Sequence, residues 1–180
     1  MADQVICELS ELFHRWMAYQ QQRGRLVTCP ADESRASPCS GDSETPLQWA
    51  PVMRDAMLDL NNIAQALECS FHPAIHAYYG SAFSGPMTFS FKGLKVSIVQ
   101  PWNDDDFARL QENLVAHVLM LKKLKLPITF FLATVPDEQR VISLDNESGQ
   151  VILEQLGRKQ RWILAEDLPT FLRRLSPLLG

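Results

Sequence analysis

The fold is decided by residues 87–98, which read MTFSFKGLKVSI. An apolar residue stands at every second position from Met87, which is the pattern of a strand with one buried face. Gly93 interrupts this alternation, and a second alternating run extends from Leu94 to Ile98. The stretch therefore predicts a β-hairpin, in which two antiparallel strands are joined by a short turn.

Helical and extended segments flank this hairpin on both sides. Apolar residues at helical spacing predict helices over residues 5–22, 53–67, 104–125 and 168–179, and a short helix that begins at Pro73. Further strands are predicted over residues 128–133, 140–145, 150–154 and 162–164, and the middle two form a second hairpin. Hairpins interspersed with helices predict an α+β fold, with a central, largely antiparallel sheet flanked by helices.

The chain has the size and composition of one soluble domain. Its 180 residues are 46% hydrophobic and 21% charged, which is typical of a globular protein with a substantial core. The sequence contains no internal repeat, so we expect a single domain over residues 1–180. Within it, residues 28–46 are rich in proline and serine, and we expect an irregular, mobile loop there.

The charge balance argues against two classes of partner. The formal net charge is −4, and residues 1–90 hold 10 acidic against 5 basic side chains. Broad nucleic-acid binding and direct docking on anionic lipid both require a basic surface, so neither is expected. No secretory signal or membrane-spanning run is visible in the sequence, and a cytosolic protein with reduced thiols is the expectation.

Motifs for metal or nucleotide chemistry are weak. The cysteines, at positions 7, 29, 39 and 69, form no close pair of the kind that zinc sites use. Residues 80–85 have the glycine spacing of a phosphate-binding loop, but Pro86 and Met87 stand where lysine and serine or threonine are required. His72 and His76 have i, i+4 spacing without a third ligand, so we expect His76 to be hydrogen-bonded near the core.

The densest charge feature is the run of three aspartates that opens the predicted helix 104–125. Carboxylates in a first turn complement the helix dipole, and Asn103 or Asp104 is predicted to cap the helix. Asp105 and Arg109 have the spacing of an ion pair. Helical geometry places Asp105 and Glu112 on the solvent side. These acids exceed what capping needs, which favours a protein-binding surface over an active site.

The residues around this helix carry a family resemblance. The run VQPWNDDDF at residues 99–107 continues into RLQENL at residues 109–114. Shorter matches surround it: PAIH at 73–76 with Tyr79, GPM at 85–87, LKLP at 124–127 with Thr129 and Phe131, NESG at 146–149 with Val151, and Leu164 with Ala165. Together these runs resemble the Syd family of SecY-interacting proteins, within the wider SUKH superfamily, over about residues 71–179.

The resemblance implies a bacterial cytosolic protein that docks peripherally on the cytoplasmic side of the inner membrane by binding the channel subunit SecY. It implies a concave acidic binding face on an α+β fold, with no enzymatic activity and no cofactor. The implied role is negative regulation or quality control of protein translocation. Charge agrees with this partner, because cytoplasmic loops of membrane proteins carry excess lysine and arginine.

Six residues are the candidates for contact with SecY. They are four acids and two aromatic residues: Asp104, Asp105, Asp106, Glu112, Trp102 and Tyr79. Trp102 is equally consistent with a core position, since large aromatic side chains are mostly buried, and for Asp104 the capping role is favoured. Whether Asp137, Glu138 and Glu154 join this face depends on the tertiary structure.

Two other classes of function stay open from the sequence. A SUKH-type immunity protein that neutralises a toxin would present a similar acidic surface. A metal-dependent hydrolase would place His76 or His117 beside the aspartates, although the motifs of such enzymes are missing.

Overall fold

The computed structural model describes residues 1–25, 27–28, 36–40 and 48–179. Its helices are α1 (Ala2–Gln22), α2 (Asn61–Ala66), α3 (Pro73–Gly80), α4 (Asp104–Lys123) and α5 (Leu168–Arg174). Its strands are β1 (Val52–Met53), β2 (Ala82–Phe83), β3 (Met87–Phe91), β4 (Leu94–Ile98), β5 (Thr129–Thr134), β6 (Arg140–Asp145), β7 (Val151–Gln155), β8 (Arg161–Ala165) and β9 (Ser176–Pro177). The predicted α+β class is confirmed.

Seven of these strands form one curled antiparallel sheet, in the order β8-β7-β6-β5-β4-β3-β9. The hairpin predicted at residues 87–98 is β3 and β4, which pair from Met87 opposite Ile98 to Phe91 opposite Leu94. Lys92 and Gly93 both have positive φ angles, as a two-residue turn that follows the twist of the strands requires. The second predicted hairpin, β6 and β7, is also confirmed.

One hydrophobic core joins the helices to the sheet. The apolar faces of α1, α3, α4 and α5 contribute to it together with residues from most of the strands. On α4, which was predicted as a helix from its apolar spacing, the buried residues form one stripe, namely Phe107, Leu110, Leu114, Val118 and Leu121. The prediction holds because residues three and four apart share one face of a helix, so this spacing gives α4 one apolar side to bury.

The predicted second helix over residues 53–67 is mostly wrong. Only Asn61–Ala66 is helical, and Val52–Met53 instead pairs with Ala82–Phe83. Between them the backbone follows the end of α3, where Leu58 N donates a hydrogen bond to the carbonyl of Gly80. A Cβ at Gly80 would stand 1.8 Å from the Leu58 oxygen, so glycine permits an approach that outcompetes local helix formation.

The predicted last helix ends earlier than residue 179. Helix α5 stops at Arg174, and Ser176–Pro177 adds a short strand beside β3. Pro177 explains this end, because a proline disfavours helical backbone in the residue before it. Leu175 is fully buried, whereas Leu179, the last residue of the predicted helix, is 46% exposed.

The predicted irregular loop at residues 28–46 lies largely outside the described residues. Its described parts are held by isolated bridges, in which Thr28 pairs with Gln48 and Ser40 pairs with Trp49. None of the helices in the described parts of the chain is both long and apolar enough to cross a lipid bilayer.

Candidate binding surface at the start of the fourth helix

Helix α4 begins at a cap made by Asn103. The side chain of Asn103 accepts a hydrogen bond from the backbone N–H of Asp106, at 2.9 Å. In return the Asp106 carboxylate accepts from the backbone N–H of Trp102, at 3.2 Å. The first bond satisfies a backbone donor that the helix cannot use internally, and the second ties the residue before the cap to the first turn. Asn103 is therefore the cap, and the favoured capping role of Asp104 is wrong.

Chain segments distant in sequence hold this helix start in place. The Asn103 amide donates to the carbonyl of Ala36, at 2.9 Å, and the Ser37 hydroxyl donates to the carbonyl of Trp102. Asn103 and the carbonyl of Trp102 both lie at the start of α4. The segment 36–40 therefore packs against this start, on the side that carries Asp104 and Asp105. An open pocket of about 360 Å³ between this segment and α4 is lined in part by Asp104 and Asp105.

The four predicted acids have different surroundings. Asp105 and Glu112 are exposed, as helical geometry predicts. Asp104 is 81% exposed and pairs with Arg54 at 3.2 Å. Asp106 is less exposed and forms an ion pair with Arg109, so the predicted Asp105–Arg109 pair is replaced by one between residues three apart. The arginine can reach either carboxylate, and Asp106 is already oriented by its bond to the helix start.

A groove runs beside α4 on the flank that carries Asp104. It has a volume of about 630 Å³ and lies between α4 and the segment 54–62. Its lining combines apolar and polar side chains, namely Arg54, Met57, Leu58, Asp59, Asn62, Asp104, Phe107 and Gln111. We call it the acidic groove, because two of its three charged lining residues, Asp59 and Asp104, are aspartates and the third is Arg54. The sequence alone does not reveal its second wall, because the apolar spacing predicts a helix over residues 53–67 and gives Asp59 no role.

Arg54 joins the two walls of the acidic groove. Its guanidinium lies over the ring of Phe83, 4.1 Å from the ring centroid, and pairs with Asp104 at the rim. A planar guanidinium can stack on an aromatic face and bind a carboxylate at the same time. Arg54 therefore neutralises part of the charge at the helix start, while the side chains of Asp59, Asp105 and Glu112 are exposed.

The two predicted aromatic contacts differ in accessibility. Trp102 is partly exposed and packs edge-on against Trp49, which stacks in turn on Trp16. Tyr79 has no exposed surface, and its hydroxyl donates to the backbone carbonyl of Phe131. The hydroxyl is hydrogen-bonded within the core and burial raises the pKa of Tyr79, so its side chain is unavailable to a partner in this structure.

A buried polar cluster lies farther along the same helix. The Thr129 hydroxyl donates to the Glu154 carboxyl at 2.7 Å, and Nε2 of His117 lies 3.2 Å from the Thr129 oxygen. Because the hydroxyl proton is directed to Glu154, His117 can bond this oxygen only as a donor, with its proton on Nε2. We call these three residues the buried bridge. Glu154 is 4% exposed, so it does not join the acidic surface.

The position of the buried bridge follows from the strand register. Thr129 is opposite Asp145, and Glu154 is opposite Val141, so Ser143 lies on the same face between them. Thr129 and Glu154 thus bond across the small side chain of Ser143, whose hydroxyl is buried without a partner among the described residues. Of the other acids left open, Asp137 and Glu138 lie exposed on the turn between β5 and β6, and Asp137 pairs with Arg140.

The two histidines with i, i+4 spacing have structural roles. His72 is the residue before α3 and its side chain accepts from the backbone of Ala74, while Nδ1 of His76 accepts from the N–H of Leu60 at 3.0 Å. Burial lowers the pKa of both, as it does for His117. His76 is hydrogen-bonded, as predicted. Among the described residues, no three histidine, cysteine, aspartate or glutamate side chains are grouped to hold a metal ion.

The fold and the candidate site together indicate a class of protein, namely a small α+β domain with an open surface groove. The fold is a small α+β domain, and its candidate site is an open groove with exposed carboxylates, built on a helix that a cap and a distant segment hold in place. Such a site presents charge and shape to a partner.

Comparison with known proteins establishes the family. The family described as Syd protein (SUKH-2) matches residues 6–177. The chain is 68% identical to Protein Syd of Tolumonas auensis over 178 residues, which is 99% of this chain and 92% of that protein. It is 43% identical to Protein Syd of Aeromonas salmonicida and 39% identical to that of Pectobacterium carotovorum, each over 99% of both chains. The chain belongs to the Syd family.

Proposed function

We propose that this chain is a binding protein that docks on the basic cytoplasmic loops of SecY through the acidic groove and the exposed carboxylates of α4. Binding holds it peripherally at the cytoplasmic side of the bacterial inner membrane and restrains or quality-controls protein translocation. It catalyses no reaction and uses no cofactor. Membership in the Syd family supports the choice of partner.

The observation that carries this proposal is the placement of carboxylates around the acidic groove. Asp59 and Asp104 line it from opposite walls, and Asp105 projects from the next position on α4. Glu112 projects two turns farther along, about 10 Å from Asp105 by helix rise. Lysine and arginine side chains on a flexible loop can span such a distance, so several pairs can form in one encounter.

Charge alone cannot provide a stable contact, because an exposed ion pair contributes about 1 kcal/mol or less. The groove adds apolar surface, since Met57, one of its lining residues, is 48% exposed. An apolar side chain of the loop would pack there while its basic neighbours meet the carboxylates at the rim. The partly exposed ring of Trp102 offers a second apolar contact just before the helix start.

A binding titration against SecY in nanodiscs, at low and high salt, tests this function. The double variant D105N/E112Q removes two exposed charges without changing side-chain size. With each pair contributing up to about 1 kcal/mol, its affinity should fall about tenfold at low salt. The difference from wild type should shrink at high salt, where charges are screened.

The double variant E138Q/E147Q is the matched control. It removes an equal number of negative charges, but from exposed turns of the sheet, so its affinity for SecY should stay near that of wild type. If both double variants lose affinity equally, net charge and not this surface guides binding. If wild-type protein does not bind SecY, the proposed partner is wrong.

A further inference from the structure

The strand β8 forms an open edge of the sheet with unusual exposure of large apolar side chains. It is the last strand on its side of the seven-stranded order. Trp162 is 45% exposed and Ile163 is 65% exposed. Neighbouring residues on a strand point to opposite faces, so this edge exposes apolar surface on both faces of the sheet. Edge strands of soluble proteins normally avoid such exposure, because a second strand can pair with them.

The direction of the free backbone groups follows from the pairing of β8 with β7. The N–H of Gln155 donates to the carbonyl of Gln160 at 3.2 Å, and the register continues with Leu153 opposite Trp162. In antiparallel pairs the hydrogen-bonded positions alternate. The backbone groups of Trp162 therefore point to β7, while those of Arg161 and Ile163 point away from the sheet and can pair with another strand.

The length of edge available for pairing is short. The register of β7 and β8 shifts between Val151 and Ile152, and Leu164 is the extra residue on the β8 side. Such a bulge bends a strand and ends regular pairing. A partner strand would therefore align with the part of β8 around Arg161–Ile163, and the contact would be of the small, weak kind.

The charges on either side of this segment indicate the partner. Arg158 and Lys159 precede the strand and Glu166 follows it, all three exposed. An acidic peptide would be attracted by Arg158 and Lys159 at one end of the segment and repelled by Glu166 at the other. A basic peptide would be repelled at the first end and attracted at the second. A second β8 that runs antiparallel matches both ends, since it places its acidic end beside the basic end of the first.

We propose that β8 pairs antiparallel with β8 of a second copy of the chain, around a two-fold axis at Trp162, to form a weak dimer whose sheet continues from one copy into the other. Arg161 of each copy exchanges hydrogen bonds with Ile163 of its partner. The two Trp162 rings meet at the closely spaced position between these pairs, where aromatic cross-strand contacts are favourable. The end of each strand that follows Arg158 then lies near the partner's end that precedes Glu166, so that opposite charges face each other beyond the paired residues.

This interface does not depend on the proposed binding to SecY, because it uses none of the residues of the acidic groove. It is isologous, as most homodimer interfaces are: the same segment serves on both copies, and each charge pair forms twice. A change at one residue therefore acts twice, which makes self-association a sensitive readout.

Sedimentation velocity of the full-length protein, from about 10 µM to about 1 mM, tests the dimer. Wild type should shift from monomer towards dimer across this range. I163P removes an outward-pointing N–H, and proline is tolerated in an edge strand at such a position. It should therefore weaken self-association about tenfold or more while the circular dichroism spectrum stays that of wild type.

A charge-reversal pair separates this interface from general stickiness. R158E and E166R each create like-charge contacts in their own homodimers and should each remain monomeric. An equimolar mixture restores both opposite-charge pairs and should dimerise about as strongly as wild type. L119S, which removes a 53%-exposed leucine from α4, is the control and should dimerise normally.

Three results would overturn the proposal. The first is a wild type that stays monomeric at about 1 mM. The second is a dimer that survives I163P with unchanged strength, which would place the contact elsewhere. The third is failure of the mixture to dimerise. If wild type remains monomeric while an acidic peptide changes the tryptophan fluorescence of wild type and not that of W162F, the edge serves another partner and the dimer is wrong.

Discussion

The two ends of α4 both carry polar side chains, but these side chains differ in their exposure to water. At its start, Asp104 and Asp105 project into solvent beside a groove. More than three turns later, His117 turns inward and joins Thr129 and Glu154 in the buried bridge. The same helix therefore carries polar groups that water can hydrate at one end and polar groups that only the protein can satisfy at the other.

This difference decides what each group contributes. A carboxylate in water exchanges one set of hydrogen bonds for another, so its loss changes stability little. A buried polar group that loses its partner keeps the full cost of desolvation. The exposed carboxylates at the start of α4 can thus be changed at little cost in stability, while the buried bridge holds the helix against β5 and β7. Substitutions at the two ends should separate binding from stability.

The largest expected effect is the loss of stability on removing Glu154. E154A leaves the Thr129 hydroxyl without its acceptor and opens a cavity under α4, so the free energy of unfolding should fall by about 3 kcal/mol. Urea denaturation of the purified variant measures this. The control E112A, on the exposed side of the same helix, should lose less than about 0.5 kcal/mol. Equal losses for the two variants would contradict the comparison.

A second expected effect is the dependence of stability on pH. Burial lowers the pKa of His72, His76 and His117, and for His117 the Glu154 carboxylate opposes this in part. Between the lowered values and the ordinary value of about 6.5, the unfolded chain binds more protons than the folded chain. Stability should therefore be complete above about pH 6.5 and fall below it.

Melting temperatures between pH 5 and pH 8 measure this dependence. The buried bridge is one source of it, so H117Q should melt lower than wild type and show a shallower loss on acidification. H14Q, at an exposed position of α1, should leave the profile unchanged. A wild-type melting temperature that rises as the pH falls from 7 to 5.5 would contradict the assignment.

The smallest expected effect is at the start of α4. N103A removes the cap and should cost about 1 kcal/mol of unfolding free energy, whereas D105N should change it by less than about 0.5 kcal/mol. Chemical denaturation measures both. In the SecY titration the order should be reversed: D105N should lower the affinity more than N103A, because Asp105 is proposed to contact SecY directly. If D105N destabilises the fold more than N103A, the roles assigned to these neighbours are reversed.

The regular elements with strong local signals could be predicted from the sequence. The turn at Lys92-Gly93 and the apolar stripe of α4 depend on residues a few positions apart, so local spacing was sufficient. The prediction of a helix at residues 53–67 was mostly wrong, because the helical spacing of apolar residues corresponds to a helix only within Leu60–Leu67. Upstream of this, the backbone bonds to the end of α3, a contact between segments about 25 residues apart that no local pattern encodes.

The candidate site was predictable in part for the same reason. Exposure of Asp105 and Glu112 follows from helical geometry. Burial of Tyr79 and Glu154 does not follow from local geometry. A tyrosine or glutamate is polar enough for the surface, and it is buried only where a particular carbonyl or hydroxyl group forms a hydrogen bond with it. The second wall of the acidic groove, with Arg54 and Asp59, required the path of the chain between β1 and α2.

The sequence by itself determined the α+β class, the family, the hairpins and the helix that bears the candidate acids. Each of these rests on spacing along the chain or on runs of residues that match a family. Only the tertiary structure decided which polar groups reach water, which strand forms the open edge, and which residue caps α4. The reason is physical: hydration and hydrogen bonding depend on what lies within a few ångströms in space, and those neighbours come from anywhere in the chain.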